Sequence, residues 1–411
     1  MPSLPYPVTA LRNVTLPDTP TGPDKVDVLI AGDTVQQVRP AEPGGISPGE
    51  LDLDGYVLLT AAADPHAHLD KAYSWDLIEP PMGDLERAIM SWRAYASDMS
   101  VDSIAERARR AVQALLRNGT TAVRSHVDIL AGDAPLRGAE ALVRVRAEFA
   151  GLLDIELVAL TAFDTPEPAI DAALDLGVDL VGGAPHLAPD PPEFIDRLLS
   201  IAKRRDVGVD LHTDESLDGA LTLPYFARAV RDWPAGTSLS AGHCVRLGTL
   251  PTAAADEVID EVLASDIGVI TLPITNLYLQ AWHHEHSAPR GLTAVRRLID
   301  RGARLGAGAD NVRDPFNPVG RSDALETASL LVVAGHLTAT EAYRLITDGA
   351  RAVMRLPDAG ARAGARADFV AVRGASLADV IATAPADRYV VHAGRLVSYT
   401  EVTHHTAKGA T

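Results

Sequence analysis

The middle of the chain alternates between short apolar runs and segments whose apolar positions recur at helical spacing. Runs such as Val178-Asp179-Leu180-Val181-Gly182-Gly183 and Val209-Asp210-Leu211 read as strands. Between them, segment 102–117 places Ile104, Ala108, Ala111, Val112, Leu115 and Leu116 on one helical stripe. Asn118-Gly119 then stops it, as a left-handed cap does. Segment 340–348 follows Thr338, a good N-cap, and is expected to end at Gly349. Eight strands are expected, ending near His66, His126, Leu160, His186, His212, His243, Ile274 and Asp310. Strand–helix alternation of this length predicts an α/β fold, a (β/α)8 TIM barrel over residues 61–359.

The two ends read differently. Val26-Asp27-Val28-Leu29-Ile30, Tyr56-Val57-Leu58-Leu59, Asp368-Phe369-Val370-Ala371-Val372 and Arg388-Tyr389-Val390-Val391-His392 are strand-like, with Ala393-Gly394-Arg395 as a turn. Residues 1–60 and 360–411 are therefore expected to form a small β-sandwich domain from both termini.

Composition narrows the function classes. The chain has 411 residues, 47% hydrophobic and 22% charged, enough for a large core. Its 37 basic and 55 acidic residues leave a net charge of −18, which argues against nucleic acid or an anionic membrane as the main partner. One cysteine, Cys244, allows no intrachain disulfide. The start, MPSLPYPVTALRNVTLPDTP, has no basic segment followed by an apolar run, and no stretch is long and apolar enough to span a bilayer. A cytoplasmic enzyme with a small-molecule substrate is the expectation.

The candidate chemistry sits at the strand ends. Asp64-Pro65-His66-Ala67-His68 puts two histidines two residues apart, on the same side of an extended strand. Alone, the pair reads equally well as two satisfied polar residues near a turn. A barrel, however, gathers its strand ends at one mouth. That adds Val209-Asp210-Leu211-His212, Gly242-His243 and Gly308-Ala309-Asp310 to the same place. Three imidazoles with a carboxylate suit Zn²⁺ or Fe²⁺, leaving a position for water.

The ordered set resembles the amidohydrolase superfamily, and within it the cytosine deaminase-like branch. It comprises His66-Ala67-His68-Leu69-Asp70, His126-Val127-Asp128, Gly183-Ala184-Pro185-His186, His212-Thr213-Asp214-Glu215, Gly242-His243, and Gly308-Ala309-Asp310-Asn311 through Asp314-Pro315. The resemblance implies His66, His68, His212 and Asp310 as metal ligands, Glu215 as proton shuttle, and His243 as a group polarising the attacking water. The absence of lysine in the fourth strand implies one ion rather than two. Oligomers are common among relatives, so a homo-oligomer is one expectation. Glu215 also has a bland reading, an acid favoured at a helix N-terminus. Asp70 and Lys71 are second-layer groups or a salt bridge; His126 and Asp128 orient ligands or substrate, or simply pair with each other. His186 is a pocket wall or a core histidine. His283, His284 and His286 are a second metal site or a solvated loop. Cys244 packs as a small apolar residue.

The substrate-reading positions depart from that branch. Ala162 stands where cytosine deaminases carry a glutamine, Asn311 where they carry a second aspartate, and Phe316 where they carry a tryptophan. With His186 these are the expected substrate-binding positions. Chemistry kept and recognition changed predicts that cytosine is a poor substrate. The expected reaction is deamination at a C–N bond of another nitrogen heterocycle, a substituted pyrimidine, triazine or pterin-like ring, with metal-activated water. The alternative is hydrolysis of a cyclic amide or N-substituted amine by the same water. The remote one is a non-catalytic scaffold, which the four retained ligands disfavour.

Overall fold

The computed structural model describes residues 4–17, 25–219 and 221–407. The chain divides into two compact units, one of residues 62–115 and 120–358, the other of 1–61, 116–119 and 359–411.

The larger unit is a barrel. Among the described residues its strands are β1 (Ala62–Ala67), β2 (Thr120–Asp128), β3 (Asp154–Thr161), β4 (Leu180–Gly183), β5 (Gly208–Thr213), β6 (Leu239–His243), β7 (Gly268–Thr271) and β8 (Leu305–Ala307). They pair in chain order, all parallel. Covered on both faces, they need apolar residues almost without alternation, and β4 to β7 are buried throughout. The seam between β1 and β8 is closed by backbone bonds of the candidate ligands: Asp310 N–H donates to His66 O at 2.9 Å and His68 N–H to Asp310 O at 3.2 Å. The residues expected as ligands therefore also complete the barrel.

Three strand ends differ from expectation. β4 stops at Gly183, and His186 lies on a 3₁₀ turn, Pro185–Leu187. β7 stops at Thr271, before the helix Pro273–Leu279, so Ile274 is helical. In both cases a proline, lacking an N–H for the ladder and suited to a first helical turn, ends the strand. β8 stops at Ala307, and Asp310 follows in a left-handed conformation (φ 62°).

The helices follow their stripes. Val101–Arg117 buries Ile104, Ala108, Ala111, Val112 and Leu115, and Gly119 behind it has φ +94°. Thr338 caps Ala339–Arg344 through a reciprocal pair with Glu341. That helix does not end at Gly349. It runs through a π turn, Leu345–Gly349, into Ala350–Val353. Gly349 has ordinary helical backbone; its role is close approach, because a Cβ there would stand 2.2 Å from Leu305 O on β8.

The smaller unit holds two sheets. One pairs Tyr6–Pro7, Arg395–Thr400, Arg388–His392, Phe369–Arg373 and Tyr56–Thr60; the other pairs Thr34–Pro40, Val26–Ala31, Ala10–Val14 and Glu50–Asp52. Both contribute to one core, with Leu11, Val28 and Ile30 from the second and Leu58, Phe369 and Val391 from the first. Ala393-Gly394 makes the tight turn between its last two strands, with φ 47° and 71°. No helix among the described residues is long and apolar enough to cross a membrane.

The Gly349 contact makes a test. Alanine gains about 1 kcal/mol of helix propensity, but a methyl group 2.2 Å from a strand carbonyl must push backbone apart. Overpacking of about 1–3 kcal/mol should win. Gly349→Ala is expected to lower the thermal midpoint; an unchanged or raised midpoint would contradict this packing.

Candidate active site

β1 turns His66 and His68 inward, β5 presents His212, and the turn after β8 presents Asp310. Their ligand atoms converge. His66 Nε2 lies 3.1 Å from His212 Nε2, and His212 Nε2 lies 3.2 Å from His68 Nε2. Asp310 Oδ1 is 3.3 Å from His68 Nε2 and 3.6 Å from His66 Nε2. Tetrahedral ligands about 2.1 Å from a zinc ion stand about 3.4 Å apart, so each of these four pairs is spaced like neighbouring ligands of a divalent cation. Two overlapping groups are compact enough to hold an ion: His66, His68 and Asp310, and His66, His126 and His212. His66 reaches its place because β6 has glycine opposite it; a Cβ at Gly242 would sit 2.8 Å from the His66 ring.

Electrostatics agree with the donor set. Burial, then the neighbouring cationic partners, pushes His66, His68 and His212 well below the ordinary histidine range, leaving the neutral imidazoles that a metal requires. Asp310 is pushed up by burial, which His243 and Thr275 offset in part.

Around the cluster, hydrogen-bond partners fix the tautomers. His243 Nδ1 lies 3.0 Å from Asn276 Oδ1, to which it donates, so its Nε2 lone pair is free and lies 3.9 Å from Asp310 Oδ2. His186 Nδ1 lies 3.1 Å from the His212 carbonyl, which can only accept, so His186 Nε2 is also an acceptor. It lies 3.8 Å from Glu215 Oε2, while Glu215 Oε1 is 3.5 Å from His243 Nδ1. Burial, then the Asp310 charge, raises Glu215 well above the usual carboxylate range. No helix starts at Glu215: it lies in the loop before Leu223–Ala229, which removes the helix-terminus explanation. Asp214, His243, Cys244 and Asp310 all have left-handed backbone, a cost of about 1–3 kcal/mol each that concentrates at functional sites.

The remaining expected residues fall into three sets. Asp70, Lys71 and Asp128 form a buried group: Lys71 Nζ is 2.8 Å from Asp128, 3.5 Å from Asp70 and 3.3 Å from His68 Nδ1. His126 does not pair with Asp128; its Nε2 faces Asp210 Oδ1 at 3.5 Å. Among the described residues, no hydrogen bond or ion pair links Ala162, Asn311 or Phe316 to the seven site side chains. Ala162, just past β3, is held by Thr165 and Arg197. Asn311 donates to Asp314 at 2.8 Å, and the Phe316 N–H donates to the same carboxylate at 2.9 Å, so both hold the loop after β8. His283, His284 and His286 are exposed, with His283 only 3.6 Å from Asp84; they form no metal-holding group among the described residues. Cys244 is buried against Thr213. Sequence reasoning missed Asn276, Arg124 and Trp92, whose indole donates to Asp128 at 2.5 Å. Nothing in their spacing marked them, since each matters only through a partner far along the chain.

Residues 79–398 match the family model described as "Amidohydrolase family". The chain belongs to the amidohydrolase family. It is 30% identical over 370 residues to a protein named pterin deaminase from Rhizobium rhizogenes, covering 85% of this chain and 84% of that one. The crystal structure of N-isopropylammelide isopropylaminohydrolase from Burkholderia multivorans superposes with a TM-score of 0.80 at 26% identity, over 95% of this chain and 98% of that one. That of 5-methylcytosine deaminase from Klebsiella pneumoniae gives 0.87 at 22% identity, over 97% and 100%, a likeness of fold. The cytosine deaminase-like resemblance of the motif set thus has its counterpart in the whole chain.

In this amidohydrolase the Lys71 group can be tested apart from activity. Burial alone would lower the Lys71 pKa, but Asp128 and Asp70 outweigh it and hold the ammonium charged. Lys71→Met strands two buried carboxylates, an expected loss of about 3–5 kcal/mol. Adding Asp128→Asn should restore part of that loss in thermal unfolding. A double variant no more stable than Lys71→Met would show that the charges are not coupled.

Proposed function

We propose that this hydrolase of C–N bonds is an aminohydrolase that releases ammonia from an amino-substituted nitrogen heterocycle of the pterin class. One divalent ion, Zn²⁺ or Fe²⁺, would be held by His66, His68, His212 and Asp310. The observation that carries the reading is the placement of Glu215, a buried carboxyl whose hold on its proton burial strengthens, beside that ligand cluster. When bound, a divalent ion there supplies a nucleophile at neutral pH by lowering the pKa of water to about 7.

The chain's own residues do the rest. Asp310 Oδ2 and His243 Nε2 are two buried acceptors facing each other across 3.9 Å, suited to hold a donor with two hydrogens such as water. Asp310 takes the proton that water gives up. Glu215 donates its proton to a ring nitrogen, which makes the adjacent carbon electrophilic; after water adds, the proton held by Asp310 passes to the departing amine, the C–N bond breaks, and the new hydroxyl returns its proton to Glu215 as the carbonyl forms. His186, with an unprotonated Nε2 fixed by the His212 carbonyl, accepts from a ring N–H. Burial of all these groups excludes bulk water and strengthens each contact. The substrate class rests on the pterin deaminase relative and on Ala162, which offers no amide to read a small pyrimidine. A second reading, cleavage of an N-alkyl amine, is favoured by the likeness to the isopropylaminohydrolase.

Amine release across a panel decides between them. Pterin is expected to yield ammonia, cytosine to react slowly, and an isopropylamino-triazine to release no isopropylamine. Glu215→Gln should keep its metal and lose about 10²–10⁴-fold in kcat. Isopropylamine as the main product would establish the second reading. No amine from any ring, or an active Glu215→Gln variant, would refute the proposal.

A further inference from the structure

Below the ligand layer the barrel interior is charged. Residues two apart on a strand share a side, so β2 turns Arg124 and His126 inward together, and β5 does the same with Asp210 and His212. Arg124 is fully buried. Its guanidinium donates to Glu156 at 2.5 Å, to Asp210 Oδ2 and Ser240 at 2.8 Å each, and to Ser238 at 3.0 Å. Ser240 donates to the same Asp210 Oδ2 at 2.7 Å. That oxygen is satisfied twice. The other, Oδ1, has no hydrogen-bond partner and faces His126 Nε2, equally unpartnered, across 3.5 Å. The His126 ring in turn lies against the ligands, with centroids 4.2 Å from His66, 4.5 Å from His212 and 5.5 Å from His68.

Barrel interiors are ordinarily filled by branched apolar side chains. A buried ion network adds little stability over an apolar packing of the same volume. A charged layer directly under the site therefore calls for a role beyond stability. His126 supplies it, because it is close enough to His66 and His212 to compete for a shared ion.

We propose that Asp210, pinned by Arg124 and Ser240, is a positioning residue that draws His126 Nε2 toward itself. Held there, His126 is kept off the ion and becomes the surface against which the His66 and His212 rings are set. Asp210 and Arg124 touch neither ion nor substrate; they act through His126. This inference rests on the reading of His66, His68, His212 and Asp310 as the metal ligands.

The test uses the full chain with zinc or cobalt(II) as the only added ligand. Asp210→Asn keeps the acceptor for Arg124 and Ser240 but removes the charge that draws His126. Its metal-free thermal midpoint should fall, because Arg124 keeps Glu156 alone as counterion, so both metal readouts are taken well below that midpoint. Its zinc affinity, measured by competition with a chelator, should fall about 10–100-fold, the usual scale for residues that orient ligands. The visible bands of the cobalt(II) form, which report coordination geometry, should change shape. Ser240→Ala, a milder change, should move both in the same direction by less. Zinc affinity within about twofold of the parent together with an unchanged cobalt spectrum would overturn the proposal. If Asp210→Asn does not fold, the same two readouts on Ser240→Ala decide. A parent protein that binds no zinc would overturn the ligand reading itself, a distinguishable failure.

Discussion

The ligand nitrogens of His66, His68 and His212 and a carboxylate oxygen of Asp310 meet in a dry interior with neighbouring pairs 3.1–3.6 Å apart, and lone pairs at that spacing repel unless positive charge sits among them. That convergence governs the rest of the barrel. Asp310 must reach His66 and His68, and the backbone bonds that bring it there also close the β1–β8 seam. Gly242 must lack a side chain so that the His66 ring can turn in. His243, Cys244 and Asp310 accept left-handed backbone at the same level. Fold and chemistry are thus a single constraint here, met by residues that serve both.

Burial does the electrostatic work. Burial disfavours the charged forms of His66, His68 and His212, pushing them well below the ordinary histidine range, and raises the Glu215 carboxyl. Where the protein needs charge it supplies a counterion: Lys71 between Asp70 and Asp128, Arg124 between Glu156 and Asp210. Burial would raise the Asp210 carboxyl, but His126, Arg124 and Ser240 outweigh it and hold it at about 2. The result is a mouth of imidazoles, the Asp310 carboxylate and one acid, standing on buried ion pairs.

Much of this was legible in the chain. Histidines and an aspartate at successive strand ends are visible because strand spacing is two and a barrel collects its ends. Thr338 announced its helix start as an N-cap, and the structure adds its reciprocal pair with Glu341. Other features were not legible, for physical reasons. Pro185 and Pro273 cut β4 and β7 short of His186 and Ile274, since an apolar run does not show where ladder bonds stop. Gly349 reads as a cap, yet its freedom serves a close contact with Leu305. The bond from the Asn311 amide to Asp314 was not visible either, since nothing in the spacing marks it. Arg124 inside a barrel violates every hydrophobic pattern, and only Asp210, Glu156, Ser238 and Ser240 together explain it.

The most direct check is to strip the protein of metal and titrate it with zinc, counting ions bound and following the melting temperature. Saturation at one ion per chain, with a rise in melting temperature that His212→Ala abolishes, is what convergence of these side chains predicts. Binding of no ion, or tight binding undiminished in His212→Ala, would contradict the account at its centre.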